Sequence, residues 1–375
     1  MSSSLLSKTI EDKRYLWLER TNQYVVLEQE AFAVAEKLIK GEIPETIATH
    51  LETTLSVPFE AALKFVKELE DQILNSSTKG QEKSINYLSK TIIPSDFEIT
   101  TTYQVNNTLI KVSYKSDVEA SYIHPKFAHL ETDKLNKVTD FKVFITHDKI
   151  YLAINNKVKY GWPKEEIHYF QGKFSMEFIQ AMYDREESEW MGVFHASAVS
   201  NLQKAVLFLG DSGNGKSTSL ALLQAQGFQC IADDFVPIDV SKKIHTFPAG
   251  ISIKKNSLPV LLDYYPELKN SAEYHYSRLN KTVRYLPPKN INYQEKNLCK
   301  ALVFIKYDSN TDFEISKISS LEAFEKLVPD SWISPIPKNA TTFLEWFEKL
   351  PCYQLTYSNN KKMYAAVKDI FEKEA

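Results

Sequence analysis

The spacing of apolar residues changes along this chain, and each change marks a different kind of element. In residues 1–74 the runs are short. RYLWLERTNQYVVLE (Arg14–Glu28) holds two β-favouring stretches around Thr21-Asn22, which predicts a hairpin. Helical spacing follows, with Phe32, Ala35, Leu38 and Ile39 on one face and Gly41 as the stop. A second helix carries Ile47, Leu51 and Leu55. A third is predicted to start at Ser56, with Pro58 in its first turn and Phe59, Leu63, Val66 and Ile73 along one side. A hairpin with three short helices predicts a small winged-helix-like domain over residues 1–75.

Residues 76–96 interrupt the pattern. NSSTKGQEKSIN is polar and aperiodic, which predicts a flexible linker that would let the first domain hold a partner while the rest samples it. From Phe97 strands dominate. FEITTTYQV and TLIKVSY flank Asn106-Asn107, and FKVFIT and KIYLAI flank His147-Asp148, so this stretch reads as sheet-forming hairpins. KAVLFLG is a buried strand that runs into a glycine turn, a helix from Lys216 to about Gln226 follows, and Gly227 closes it. FQCIADD is the next buried strand, KALVFIKY another, with helices near Leu321–Val328 and from about Asn360. Alternating strands and helices predict an α/β fold with a mixed sheet over residues 97–375.

Composition narrows the function classes. The 375 residues are 43% apolar and 25% charged, with a formal net charge of −3, so no global field draws the chain to nucleic acid or acidic lipid. No stretch approaches the ~20 apolar residues that span a bilayer, and the start lacks a continuous apolar signal region. Cys230, Cys299 and Cys352 are far apart without metal-ligand spacing, and read as reduced thiols of a cytoplasmic protein.

The candidate chemistry sits in the centre. Gly210-Asp211-Ser212-Gly213-Asn214-Gly215-Lys216-Ser217 satisfies G-x-x-x-x-G-K-[ST], between a strand and a helix as that motif requires. Glycines let successive N–H groups turn inward onto phosphate oxygens, and the helix adds the positive end of its dipole. Lys216 would meet the outer phosphates, and Ser217, followed by Thr218, would offer a hydroxyl to Mg²⁺. Asp233 follows Lys216 by seventeen positions, at the carboxyl end of an apolar strand where ligand crevices form. One aspartate, Asp233, is expected to hold Mg²⁺, which leaves Asp234 to accept a proton from an attacking hydroxyl. His195, in FHASAVS, is either a structural histidine or a neighbour of that site.

With these residues in hand, Phe194–Asp234 resembles the catalytic core of the HPr kinase/phosphorylase family: a His-led strand, a GDSG-x-GKS loop, a helix closed by glycine and an apolar strand ending in Ala-Asp-Asp. The resemblance implies a kinase fold of the HPr kinase and phosphoenolpyruvate carboxykinase type, ATP and Mg²⁺ as cofactors, Asp234 as base and a functional His195. FPAGISIKKNSLPVLLDYYPEL and VRYLPP resemble the wider group of HPr-kinase-related serine kinases, which makes Lys254 and Arg284 candidates for phosphate or acceptor contacts. Thr218 stands where HPr kinases usually have Glu, and their downstream glycine-rich region is missing. The resemblance therefore does not extend to phosphorolysis or to HPr as acceptor.

Residues 1–75 resemble PqqD-like domains, which bind leader segments of ribosomally made peptides. A DNA-binding winged helix is the competing identity. Residues 1–80 carry nine basic against thirteen acidic residues, a net of −4, which favours peptide capture by strand addition over nucleic acid. The expected function is an ATP-dependent kinase of a Ser or Thr hydroxyl on a peptide or small protein. The alternatives are a kinase of a free alcohol such as serine, and a nucleotide-gated peptide-binding module. The sequence leaves a homo-oligomer open.

Overall fold

The computed structural model describes residues 6–75, 91–134, 138–276, 281–289 and 291–373. Most of the expected linker, residues 76–90, lies outside them. The architecture is mixed α/β with several sheets.

The N-terminal unit pairs Leu6–Ile10 with Lys13–Leu18, and Lys13–Leu18 with Gln23–Leu27, all antiparallel. Helices Gln29–Ile39, Pro44–Leu55 and Phe59–Glu70 follow. The third helix begins later than its sequence suggests. Ser56 closes the preceding helix in the left-handed conformation (φ 55°), and Pro58 is the N-cap of the next. The continuous apolar run YLWL has a physical reason, because both faces of its sheet are buried. Period-two alternation sends Leu18 and Val25 into the unit's own core with Val34, Leu38 and Val66. The opposite face sends Tyr15 and Tyr24 onto the C-terminal helices. Tyr15 meets Phe324 edge-on with ring centroids 4.8 Å apart, and Tyr24 meets Phe343 at 5.3 Å.

Polar bonds reinforce this contact: Asn22 Nδ2 donates to the Ile333 carbonyl at 2.9 Å, and Ser320 Oγ donates to Glu11 Oε1 at 2.9 Å. Ile10 and Tyr15 belong to the same apolar core as Phe194, Leu207 and Phe304. The unit is thus packed against the rest of the chain, which differs from the free tether that the polar linker suggests.

A five-stranded sheet comes next, in the order Ile99–Val105, Thr108–Tyr114, Val138–Thr146, Lys149–Ile154, Lys157–Pro163. The two expected hairpins are present. Two helices that the alternating pattern masks accompany them, Asp117–Phe127 and Ile167–Tyr183. The second buries Phe170, Phe174, Phe178 and Ile179 and has no clean apolar stripe, so its period is hard to read.

The ten-stranded mixed sheet carries the glycine loop. Lys204–Leu209 runs parallel to Asn297–Tyr307, which runs parallel to Cys352–Tyr357. On its other side Lys204–Leu209 pairs antiparallel with Ser197–Ser200, which pairs with Gln229–Ala232. Helices Lys216–Ala225 and Asn360–Glu372 cover one face, through Leu220, Leu223, Met363 and Val367. Helices Ser320–Leu327 and Pro337–Phe347 pack in the other core through Phe324, Phe343 and Phe347. Among the described residues no helix is long and apolar enough to cross a membrane.

A phosphate-loop motif and an acidic pair at a candidate site

Lys204–Leu209 is buried beyond its first residue, and its end delivers the chain into the glycine loop. Gly210, Gly213 and Gly215 take φ of 133°, 106° and 92°, a region that side chains disfavour. At Gly210 space is also limiting, since a Cβ would stand 2.8 Å from the Ile305 carbonyl oxygen. The loop is tied to the neighbouring strand by Tyr307 N–H, which donates to the Asn214 carbonyl at 3.0 Å. Ser219 Oγ latches the following helix, bonding Gly215 O at 2.9 Å and the Tyr357 hydroxyl at 2.7 Å.

Lys216, only 5% exposed, turns its ammonium back onto the loop and donates to the carbonyls of Gly210 and Asp211. Thr218 meets the Ser257 hydroxyl at 2.7 Å.

Gln229–Ala232 places both aspartates at its carboxyl end. Asp233 is 3% exposed and accepts from three donors: Ser197 Oγ at 2.6 Å, Ser217 Oγ at 3.0 Å and Ser252 N at 3.0 Å. Burial and the adjacent Asp234 charge raise its pKa to about 6 against the pull of those donors. Asp234 sits in the left-handed region (φ 65°), so its side chain departs from the strand direction. Burial would push its carboxyl up, but the charges of His195, Lys126, Lys281 and Lys216 outweigh that and hold it below the usual carboxylate range.

The loop and Asp234 share a cavity of about 190 Å³ lined by His195, Asp211–Gly213, Gly215–Thr218, Asp234, Ser252, Lys254, Ser257 and Lys281, with Asp233 buried behind Ser217 and Ser252. His195 is exposed, in the turn between Trp190–Phe194 and Ser197–Ser200. It also borders a second cavity of about 490 Å³, with Gly210, Asp211, Asn214, Lys306 and Asp330. Lys254 bonds Ser212 Oγ at 3.0 Å, and burial followed by the Lys281 charge lowers its pKa.

Arg284 is not brought to this cavity. Its guanidinium donates to the Ser271 carbonyl and pairs with Glu273 at 2.9 Å. The sequence reading passed over Ser197, Ser252, Lys126 and Lys281. Ser197 stands in the same FHASAVS run as His195, as the first residue of the strand that leaves the turn. The lysines stand in IHPKF and KTVRYL with no local pattern around them.

The residues present fit Mg²⁺ and a polyphosphate. Ser217 and Asp233 offer two hard oxygens already in contact, and Mg²⁺ keeps water and phosphate oxygens for its remaining positions. Among the described residues no group of three or more His, Cys, Asp or Glu side chains forms an all-protein metal cage. No protein-family profile and no curated protein sequence matches this chain.

Proposed function

We propose that this chain is a kinase of the HPr kinase and phosphoenolpyruvate carboxykinase type, moving the γ-phosphoryl group of ATP onto a Ser or Thr hydroxyl of a peptide or small protein. One observation carries the reading: a glycine loop with its lysine, Ser217 and Asp234 line one cavity, with Asp233 bonded to Ser217 directly behind it. Bound Mg²⁺ would neutralise charge on the transferring phosphoryl group. Loop N–H groups and Lys216 would orient the outer phosphates, with the ammonium leaving the Gly210 carbonyl for them. Asp234 would accept the hydrogen bond of the acceptor hydroxyl and take its proton as the new P–O bond forms. The bond from the γ-phosphorus to its bridging oxygen breaks, and ADP leaves. Phosphoryl transfer asks mainly for positioning and charge stabilisation, so a carboxylate held ionised suits the role.

The N-terminal unit is proposed as a winged-helix-like peptide-capture domain. The outer edge of Gln23–Leu27 pairs with no strand among the described residues, and it opens on a groove of about 550 Å³ against Leu321, Glu325 and Val328. An extended segment would add there as a further strand.

A second reading, a kinase of a free alcohol such as serine, is favoured by the small volume of the cavity. Incubating the full chain with Mg·ATP and a library of serine-containing peptides, or with serine, tests both by ADP release and product mass. ADP release with a phosphorylated peptide supports the first reading and phosphoserine alone the second. No ADP release and no phosphorylated product with either would overturn both.

A further inference from the structure

Lys126 and Lys281 act on Asp234 through their charge, and neither belongs to the glycine loop or its strand. Lys126 is the penultimate residue of the helix Asp117–Phe127 of the five-stranded unit, and its carbonyl accepts from Gly250 N at 2.7 Å, which ties that unit to the entry of the strand Ile251–Lys254. Lys281 starts the strand Lys281–Leu286, which pairs with Ile251–Lys254, and it lines the cavity that holds the glycine loop. Both side chains are half-buried. Among the described residues neither ammonium donates a hydrogen bond or forms an ion pair at contact distance, and the Asp234 carboxylate accepts no hydrogen bond.

Charge bookkeeping separates these lysines from the donor site. Lys216 belongs to the loop phosphates, Lys254 is held to the loop by Ser212, and Asp233 is engaged with Ser217. That leaves the Lys126 and Lys281 ammoniums without a contact partner among the described residues, in a partly desolvated place near Asp234. An unpaired cation there is costly unless a ligand brings the counter-charge.

Resting on the kinase reading for what occupies the loop, we propose that Lys126 and Lys281 form an anion subsite beside Asp234 that takes one carboxylate of the acceptor. The acceptor is then a hydroxyl compound with a carboxylate close to the reacting oxygen. A hydroxyl placed on Asp234 would bring its own carboxylate toward the Lys281 ammonium, which lines the same cavity, and into the field of Lys126 behind it, whereas a neutral acceptor would leave both without a counter-charge. Lys126 also makes the five-stranded unit a contributor to specificity.

The test is calorimetric titration into the full chain saturated with Mg·ADP, using two matched pairs of probes: Ac-Glu-Ser-Glu-NH₂ against Ac-Gln-Ser-Gln-NH₂, and L-serine against L-serinamide. In at least one pair the carboxylate member should bind about tenfold tighter or more at low salt. Lys126→Ala and Lys281→Ala should each bring that ratio within about twofold while Mg·ADP affinity is kept, which also reports that the variant is folded; Lys126→Gln and Lys281→Gln replace any alanine variant that is not. Preference within the peptide pair assigns an acidic peptide, and within the serine pair a free hydroxy amino acid. Equal affinities in both pairs, no binding of any probe, or a preference that survives both substitutions overturns the subsite. ADP release from Mg·ATP is scored separately. Release without anion preference removes the subsite and keeps the kinase, and preference without release does the reverse.

Discussion

Ser217 and Asp233 meet hydroxyl to carboxylate at 3.0 Å across sixteen positions of chain, joining the first turn after the glycine loop to the end of a strand two places away in the sheet. Two oxygens held this way are a preformed pair of ligands for a hard cation. Asp233→Asn and Ser217→Ala should raise the Mg²⁺ concentration needed for half-maximal nucleotide binding, by about tenfold or more for the aspartate, since bonds to charged groups are the stronger ones. Fluorescent-nucleotide titration over a Mg²⁺ series measures this. An unchanged Mg²⁺ requirement in both variants removes the pair as ligands.

Asp234 should fail differently. It has no donor of its own among the described residues and faces cations rather than the Ser217 hydroxyl. Asp234→Asn should lower turnover about 10²–10⁴-fold, the range for loss of a positioned proton acceptor, with Mg·ATP affinity within about twofold of the parent. Single-turnover measurement of ADP formation separates the two effects. Near-normal turnover would show that the proton leaves by another route.

The loop has two separable requirements, a charge and a shape. Lys216→Ala removes the buried ammonium and should weaken Mg·ATP binding by about tenfold or more while the fold persists. Gly210→Ala keeps the charge, but sets a methyl 2.8 Å from the Ile305 oxygen in a disfavoured conformation. It should weaken nucleotide binding and also lower the thermal midpoint, a combination that Lys216→Ala should not produce.

The contact between the N-terminal unit and the C-terminal helices is aromatic and buried. Tyr15 is 1% exposed and packs on Phe324 and Phe347, so Tyr15→Ala should cost about 3–5 kcal/mol, as other large aromatic truncations in cores do. Urea unfolding of the parent should show one cooperative transition rather than two. Removing residues 1–75 would uncover Phe324, Phe343 and Phe347, and the remainder should aggregate instead of behaving as an independent catalytic domain. A soluble, equally stable remainder would show the interface to be dispensable.

What the sequence made legible follows from how local each signal is. The glycine loop, Lys216 and the acidic pair are written in short runs whose residue types have few other uses, and their strand and helix settings are where the periodicity puts them. The docking of Tyr15 and Tyr24 was hidden, because a strand buried on both faces looks like any apolar strand and the polar linker argues for separation. Lys126 and Lys281 were hidden for a different reason. Each is an ordinary lysine in its own segment, and only the crossing of three units gives them a common target. The same holds for Arg284, which VRYLPP made a candidate and which the fold instead pairs with Glu273.

The last expectation concerns acid stability. His245 is 1% exposed, and its Nε2 meets Asp239 Oδ2 at 2.7 Å. Arg185 reaches the same oxygen at 3.1 Å, while the rings of Tyr183 and Trp190 close over the imidazole edge-on. Burial is the largest influence on His245 and lowers its pKa below 6.5; Asp239 pulls the other way, and Arg185 and Lys296 add to the lowering. Burial would raise Asp239, but His245, the Lys243 N–H and Arg185 hold it below its ordinary range, so it stays ionised throughout the histidine's window. The unfolded chain therefore takes up a proton near pH 6.5 that the folded chain resists. The stabilisation is complete above 6.5 and is lost as pH falls from 6.5 toward the folded value, with a slope of at most about 1.4 kcal/mol per pH unit for the one proton. Urea midpoints at pH 7.5, 6.5 and 5.5 should fall in that order. His245→Gln, which keeps a donor to Asp239 but cannot titrate, should be less stable at pH 7.5 and should lose the part of the slope that lies just below 6.5. An unaltered slope in His245→Gln would place the acid sensitivity in other groups.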